Sequence, residues 1–346
     1  MSCREQACLF PTNLLYRNLY PPCFLPCRFV GANLIAGTGR KQSRGTAKIA
    51  LKLSRNDFLE MKDIKSKILS NINIGSNYYK MSLEAPYIAK AAKPGQFVMV
   101  RCSDSTGPLL RRPFSIHRVK GQKGIEILYE VIGKGTEILS EKKKGEYIDT
   151  LGSLGNGFSF SSLVLRPSSF VFLIAGGIGV APLIFLAEKL ASSKSIVLIG
   201  AKTKKLILCE KDFKKIGAEV HVATDDGSYG YKGFISELFK DMLRRMTDDG
   251  RWTPVRRSLG EGGKDDGRWT RDEGRRTIYA CGPELMLKAV SDICNKEKIP
   301  CEVSLETKMS CGFGACLSCA VKLKGESSYK LACKDGPVFN ADKIIW

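Results

Sequence analysis

Phe170-Val-Phe-Leu-Ile-Ala-Gly-Gly-Ile-Gly-Val-Ala-Pro182 is the stretch on which the fold turns. From Phe170 to Ala187 the chain runs eighteen residues without a charge, which touches the length threshold for a membrane span. Three glycines and a proline in the middle of the run argue against that reading. A parallel strand buried on both faces is continuously apolar, which accounts for Phe170 to Ala175. Gly176, Gly177 and Gly179 then make a turn, and Pro182 falls near a helix start, where its missing N–H costs little. Strand, glycine turn and helix in this order present backbone amides and a helix dipole to the phosphates of a dinucleotide. The same turn also serves as a tight βα connection in proteins that bind none. No transmembrane segment is expected.

Downstream the same rhythm repeats. Strand-like runs at Ser195–Gly200, Glu219–Thr224 and Thr277–Ala280 alternate with helical stretches at Pro182–Ser192, Gly233–Arg245 and Pro283–Lys296. Alternation of this kind predicts a parallel, Rossmann-like α/β domain over residues 165–305. Cys281-Gly282-Pro283 ends its last strand at the carboxyl edge, where ligands bind in open α/β sheets. Cys281 reads either as a reactive thiol near a nicotinamide or as a small packing residue beside a flavin. Cys102, Cys209, Cys294 and Cys301 fall on or near apolar elements and read as core.

Upstream, residues 61–160 change character. Tyr78–Glu84, Gln96–Val100, Phe114–Val119 and Ile125–Val131 are short strand patterns broken by turn residues, which predicts a small antiparallel barrel. Within it, Leu109-Leu-Arg-Arg-Pro-Phe-Ser-Ile116 sets two arginines before a proline on an otherwise apolar strand. A guanidinium held there suits a diphosphate, and Ser115 suits a flat heterocycle. An edge strand with solvated arginines fits equally well. Gly133-Lys-Gly135-Thr136 precedes the helical stretch Glu137–Ser140, whose free amides can receive phosphate oxygens. The two pieces together point to a flavin diphosphate.

Near the C-terminus stand Cys311-x4-Cys316-x2-Cys319-x13-Cys333. This is the plant-type spacing for a 2Fe-2S cluster, with Gly312 and Gly314 suited to a loop wrapped around an inorganic core. A structural zinc site also uses four thiolates, but usually as two close-spaced doublets, and here only Cys316 and Cys319 form one. Residues 306–346 are therefore expected to form a small iron-sulfur module. The remaining nine cysteines are scattered and no convincing secretory signal precedes them, so a reducing, cytoplasmic setting is expected.

The formal charge of +20 invites a nucleic-acid reading. Nine of the excess positive charges lie in residues 1–60 and 244–276, outside the well-patterned body, so no nucleic-acid partner is expected. Residues 1–60 lack steady periodicity and read as a disordered or non-native extension. The insertion at 246–276 carries Asp248-Asp-Gly-Arg-Trp-Thr and again Asp265-Asp-Gly-Arg-Trp-Thr, and reads as a low-complexity surface segment.

Barrel with Arg-Arg-Pro-Phe-Ser, α/β half with Gly-Gly-Ile-Gly-Val-Ala-Pro and Tyr279-Ala-Cys-Gly-Pro283, then the cysteines: this order resembles the ferredoxin-reductase superfamily. Met309-Ser-Cys-Gly-Phe-Gly-Ala-Cys316 and Cys333-Lys-Asp-Gly-Pro-Val-Phe339 are similar to the electron-transfer subunits of NAD-dependent dihydroorotate dehydrogenases, a likeness running from about Met61 to Phe339. The resemblance implies FAD held by Arg112, Pro113, Phe114, Ser115, Leu128, Tyr129, Glu130, Gly135 and Thr136. It implies a 2Fe-2S cluster on Cys311, Cys316, Cys319 and Cys333. NAD is expected on Gly176, Gly177, Gly179, Cys281, Gly282 and Pro283. Some relatives carry arginine where this chain has Glu130.

Nicotinamide moves two electrons as hydride and an iron-sulfur cluster takes one at a time, so a flavin, able to do both, must stand between them. His117 and His221 are the only histidines, and both read as structural. With no acid/base constellation for pyrimidine chemistry, no catalytic residue is assigned. The resemblance implies a separate FMN-containing subunit that oxidises dihydroorotate to orotate, assembled with this chain as a heterotetramer in pyrimidine biosynthesis. Another ferredoxin-reductase-type subunit, linked to a hydrogenase or a ferredoxin, or a zinc-stabilised interaction protein without redox activity, are the alternatives.

Overall fold

A computed structural model describes residues 62–105, 107–160, 170–190, 194–248 and 276–346. The expected N-terminal extension and the body of the repeat insertion lie outside the described residues.

The first part is a closed antiparallel barrel. Its elements are β1 (Lys62–Gly75), β2 (Tyr78–Glu84), α1 (Pro86–Ala91), β3 (Phe97–Arg101), β4 (Arg112–Lys120), β5 (Gly124–Glu130), α2 (Lys134–Glu141) and β6 (Tyr147–Leu154), with strand order β1-β2-β5-β4-β3-β6. Four strands fall where the pattern predicts them. β1 and β6 close the barrel and stand out less in sequence, because β1 exposes Leu69, Ile72 and Ile74 while several polar residues intervene. In β6 burial alternates residue by residue, as a strand with one face on the core requires.

The second part contains β7 (Phe170–Gly176), α3 (Val180–Lys189), β8 (Lys194–Ala201), α4 (Glu210–Lys215), β9 (Glu219–Thr224), β10 (Tyr231–Lys232), α5 (Ile235–Asp248), β11 (Arg276–Cys281), α6 (Glu284–Lys296) and β12 (Cys301–Ser304). β10-β9-β8-β7-β11-β12 pair in parallel, as the βαβ rhythm predicts. α5 begins two residues after Gly233, where the Glu237 carboxylate accepts the Phe234 amide at 3.1 Å and caps the first turn.

Residues 306–346 contribute β13 (Ala320–Val321), β14 (Lys330–Leu331) and β15 (Val338–Asn340). β15 runs antiparallel to β12 as the seventh strand of the large sheet. One apolar cluster joins Cys319, Val321, Leu331 and Phe339 to Phe97 and Met99 of the barrel and to Phe172 and Ile174 of the sheet. A second join is α3, whose Phe185 is buried among the barrel residues Ile116, Ile125 and Ile127. Burying a side chain of that size contributes roughly 1.5–3 kcal/mol, so barrel and sheet share stabilisation rather than merely touching.

Candidate functional site: a cleft and a cysteine loop

A cleft of about 590 Å³ opens between β4, β5, the start of α2, the start of α3 and the segment after β12. Arg112, Pro113, Phe114, Ser115, Leu128, Tyr129, Glu130, Gly135 and Thr136 all line it, together with Cys281.

The adjacent arginines part company. Arg111 donates from Nη2 to Asp63 Oδ2 at 2.7 Å and from Nη1 to the Asp149 carbonyl at 3.1 Å, which commits it to the seam between β1 and β6. Arg112 turns into the cleft and crosses the first turn of α2, so close that a methyl group on Gly135 would lie 3.2 Å from its Nε. The Thr136 hydroxyl donates to the Gly133 carbonyl at 3.0 Å and accepts from the amides of Ile132 and Gly133. That hydroxyl is spent on the turn, while the first amides of α2 have no partner within the helix. A guanidinium beside a helix N-terminus is a preformed seat for phosphate oxygens.

β5 supplies the wall. Tyr129 is 1% exposed, donates to Asn71 Oδ1 at 2.9 Å and stacks on Tyr79 with ring centroids 5.5 Å apart. Burial pushes its hydroxyl well above the usual phenol range. Glu130 bonds the Tyr78 hydroxyl, which burial first and this carboxylate second push up.

Part of the cleft escapes sequence reading. β11–β12 register pairs Cys281 with Ser304, which delivers Leu305, Glu306, Thr307, Lys308 and Met309 to the cleft although they carry no periodicity. Ile178, Ala181 and Pro182 line it from the start of α3. Glu306 is exposed as a residue, yet its carboxyl is crowded enough that desolvation first and the Glu130 carboxylate second push it above the usual range. Burial raises the Cys281 thiol, with the Glu306 charge adding to it, the opposite of an activated thiolate. Cys102, Cys294 and Cys301 are buried in the core, whereas Cys209 is half-buried at φ 60° before α4. His221 pairs at 2.7 Å with Glu219 on β9, away from the cleft.

Gly176, Gly177, Gly179, Gly282 and Pro283 do not line this cleft. They meet at the carboxyl ends of β7 and β11, backbone against backbone. A methyl group on Gly179 would lie 2.1 Å from the Cys281 carbonyl oxygen, and one on Gly282, at φ +153°, would lie 2.9 Å from the Gly176 nitrogen. Gly177, at φ +54°, has open space beside it. Close packing thus demands glycine at Gly179 and Gly282, and backbone conformation demands it at Gly177.

From Leu305 to Cys319 the chain has neither strand nor helix. Gly312 and Gly314 take φ of +83° and +88°, and Gly312 lies against Met99 of β3. The β13–β14 pair sets Cys319 beside Cys333. Backbone amides point at sulfur: Gly314 to Cys333 at 3.1 Å, Ala315 to Cys311 at 3.3 Å and Cys333 to Cys319 at 3.4 Å. Cys311 interacts with Cys316, and Cys333 with both Cys319 and Cys311, so the four thiols lie within reach of one another. Exposed Cys316 is pulled down to about 6, first by the Ser318 hydroxyl at 3.2 Å. Burial and Cys319 push Cys333 up. Two thiolates to each of two irons is what a 2Fe-2S cluster takes, so the donor set fits that group.

The iron-sulfur cluster binding domain of dihydroorotate dehydrogenase B matches residues 306–345, which include all four cysteines. Over 286 residues the chain is 44% identical to the dihydroorotate dehydrogenase B (NAD(+)) electron transfer subunit of Desulforamulus reducens, covering 81% of this chain and 97% of that one. The chain belongs to this family. The electron transfer subunit of Caldanaerobacter subterraneus subsp. tengcongensis is 36% identical over 82% of this chain and 98% of its own length. Among solved structures, an NADH-dependent reduced ferredoxin-NADP oxidoreductase is similar at TM-score 0.64 and 28% identity, covering 82% of this chain and 90% of that one. A ferredoxin NADP+ reductase from Neisseria gonorrhoeae, with bound FAD and NADP, shares the fold at TM-score 0.53 and 17% identity, over 68% of this chain and 91% of that one. No described helix is long and apolar enough to cross a membrane.

Proposed function

We propose that the chain is the electron-transfer subunit of an NAD-dependent dihydroorotate dehydrogenase, passing electrons between NAD(H) and an FMN-containing catalytic partner in pyrimidine biosynthesis. The observation that carries this reading is the convergence of Arg112, Ser115, Glu130 and the α2 amides on one cleft, with the cysteines starting two residues beyond Met309 of its wall. When bound, FAD exchanges hydride with a nicotinamide and single electrons with an iron-sulfur cluster.

The roles of the residues follow from their positions. Arg112 and the amides of Lys134, Gly135 and Thr136 hold the diphosphate. Pro113, Phe114, Ser115, Leu128, Tyr129 and Glu130 form the wall against the flavin, Glu130 through its backbone and through hydroxyl groups rather than phosphate, since a carboxylate repels the latter. The glycine turn Gly176, Gly177, Gly179, with Cys281, Gly282 and Pro283, receives NAD. Cys311 and Cys316 hold one iron, Cys319 and Cys333 the other. The barrel thus serves FAD, the sheet NAD, and residues 306–346 the cluster. The proton transfer on the pyrimidine belongs to the partner, in a heterotetramer. Nine free cysteines among the described residues support a reducing, cytoplasmic setting.

A second reading has one observation in its favour, the 28% identity to the NADH-dependent ferredoxin-NADP oxidoreductase. Both are separated by one experiment. Anaerobically purified protein should show flavin and iron-sulfur absorption and be bleached by NADH. Dihydroorotate should bleach it only after addition of the catalytic partner. Bleaching by reduced ferredoxin but not by dihydroorotate plus partner would favour the second reading, and absence of both chromophores would end the electron-transfer function.

A further inference from the structure

β4 passes from the cleft at Ser115 straight into the interior, where His117 is 0% exposed. Its Nδ1 lies 2.9 Å from the Ala181 carbonyl oxygen, in the first turn of α3. A carbonyl only accepts, so Nδ1 carries the proton and donates. Nε2 has no hydrogen-bond partner and faces Glu126 Oε1, equally unpartnered, at 3.9 Å. The other Glu126 oxygen is taken by Ser82 and Lys120, and Arg118 Nη1 stands 3.8 Å from Oε1. Burial above all holds the imidazole at about 4, with Lys80 and Arg118 adding to this and the Ala181 bond and Glu126 opposing it. The ring is neutral at physiological pH.

Its location gives the bond a consequence. One end belongs to the strand that presents Arg112, Phe114 and Ser115 to the cleft. The other belongs to the turn whose Ile178, Ala181 and Pro182 line the same cleft from the dinucleotide side. Other polar links between these parts, Arg118 to Glu188 at 2.5 Å and Lys80 to Asp212 at 2.7 Å, are partly exposed and therefore weakened by salt. The apolar join around Phe185 holds α3 against the barrel. The buried His117–Ala181 hydrogen bond adds a directional contact at the first turn of that helix.

We propose that His117 is a positioning residue: its neutral imidazole, donating to Ala181, sets the spacing between the flavin-holding strand and the turn that receives the nicotinamide dinucleotide. The inference rests on the cleft being the flavin site. Misplacement of about 1 Å between two reacting partners can cost about 100-fold in rate.

The test compares full-length, cofactor-loaded His117→Asn, His117→Gln and His117→Leu proteins with the unchanged chain. Asn places an N–H donor near the Nδ1 position, Gln places one too far out, and Leu has none. Expected for Asn is a flavin-reduction rate with NADH within about threefold of the unchanged protein, with the same long-wavelength charge-transfer band between nicotinamide and flavin. Gln and Leu should keep FAD content while the rate falls about 10-fold or more and the band weakens. Nitrogen NMR of the unchanged protein should show a neutral Nδ1–H tautomer at pH 6. Gln and Leu proteins with unchanged band and rate, an Asn protein as impaired as Leu, or an imidazole that titrates near 6.5 would each overturn the inference, the last without any variant having to fold. An unchanged protein that binds no flavin would instead sink the reading of the cleft, and this inference with it.

Discussion

The cleft and the cysteine loop are held by opposite means. In the cleft, strand register does the placing: Val100 opposite Arg112, Phe97 opposite Ser115 and Tyr78 opposite Glu130 fix three lining residues through paired backbones. Thr136 closes its own turn with three hydrogen bonds. Between Leu305 and Cys319 nothing comparable exists, and the order comes from two left-handed glycines, a Met99 contact and single amides aimed at sulfur. A ligand entering the cleft therefore finds a wall already built, whereas a metal cluster must organise part of its own loop, as metal sites coupled to folding do. Changes in the cleft should cost ligand and spare the fold. Changes in the loop should cost metal and local structure together.

The largest effect expected is from Cys316→Ser, which should abolish iron-sulfur absorption entirely while NADH still reduces the flavin. Loss of FAD with the cluster intact would break the division between the two regions. Next comes Gly312→Val. Its Cβ would lie 2.4 Å from Met99 Cγ at a φ of +83°, and strain plus overlap of about 2–4 kcal/mol should lower iron content and the melting temperature of the C-terminal part. Gly133→Ala, at an extended φ with nothing within 4 Å, should leave both unchanged within experimental error.

Within the cleft the two arginines sharpen the contrast. Arg112→Ala should weaken FAD binding about 10- to 100-fold, the equivalent of roughly 1.5–3 kcal/mol for a charge-assisted bond, as read by flavin fluorescence on dilution. Arg111→Ala should leave FAD affinity alone and cost less than about 1 kcal/mol of stability, since its ion pair with half-exposed Asp63 is solvated. Equal loss of FAD in both would mean that neither is specifically a phosphate ligand.

The join between barrel and sheet adds a pH dependence. Unfolded, His117 takes up a proton near 6.5; folded, it resists until about 4. The unfolded chain thus binds the extra proton between these values, so stability is intact above 6.5, declines as pH falls through the window and levels off below 4. At pH 5 the loss amounts to roughly 2 kcal/mol. Urea denaturation at pH 7 and pH 5 should show this slope in the unchanged protein and a shallower one in His117→Asn; equal slopes would assign the acid sensitivity elsewhere.

Much of this was legible in residues alone. Phe170 to Pro182 announced a parallel strand, a tight turn and a helix, and the four cysteines announced their ligand count by spacing. Arg112 and Arg111 could not be told apart, because which of two neighbours faces a cleft depends on strand partners elsewhere in the chain. Leu305 to Met309 carried no pattern at all and reached the cleft only because β12 pairs with β11. β15 looked like part of a separate module and instead completes the large sheet, through a pairing between Ser304 and Val338, residues 34 positions apart, that shared burial supports and no local pattern announces.

What the sequence determined by itself is local: the periods of strand and helix, the glycines a turn or a close approach requires, and the number and type of metal donors. These are set by backbone sterics and coordination chemistry within a few residues. The tertiary structure alone decided which side chains meet: Arg112 over the α2 amides, Cys319 beside Cys333, His117 bonded to Ala181. Each of those meetings depends on how the barrel closes and on which strands pair, and closure is a property of the whole chain that no short stretch encodes.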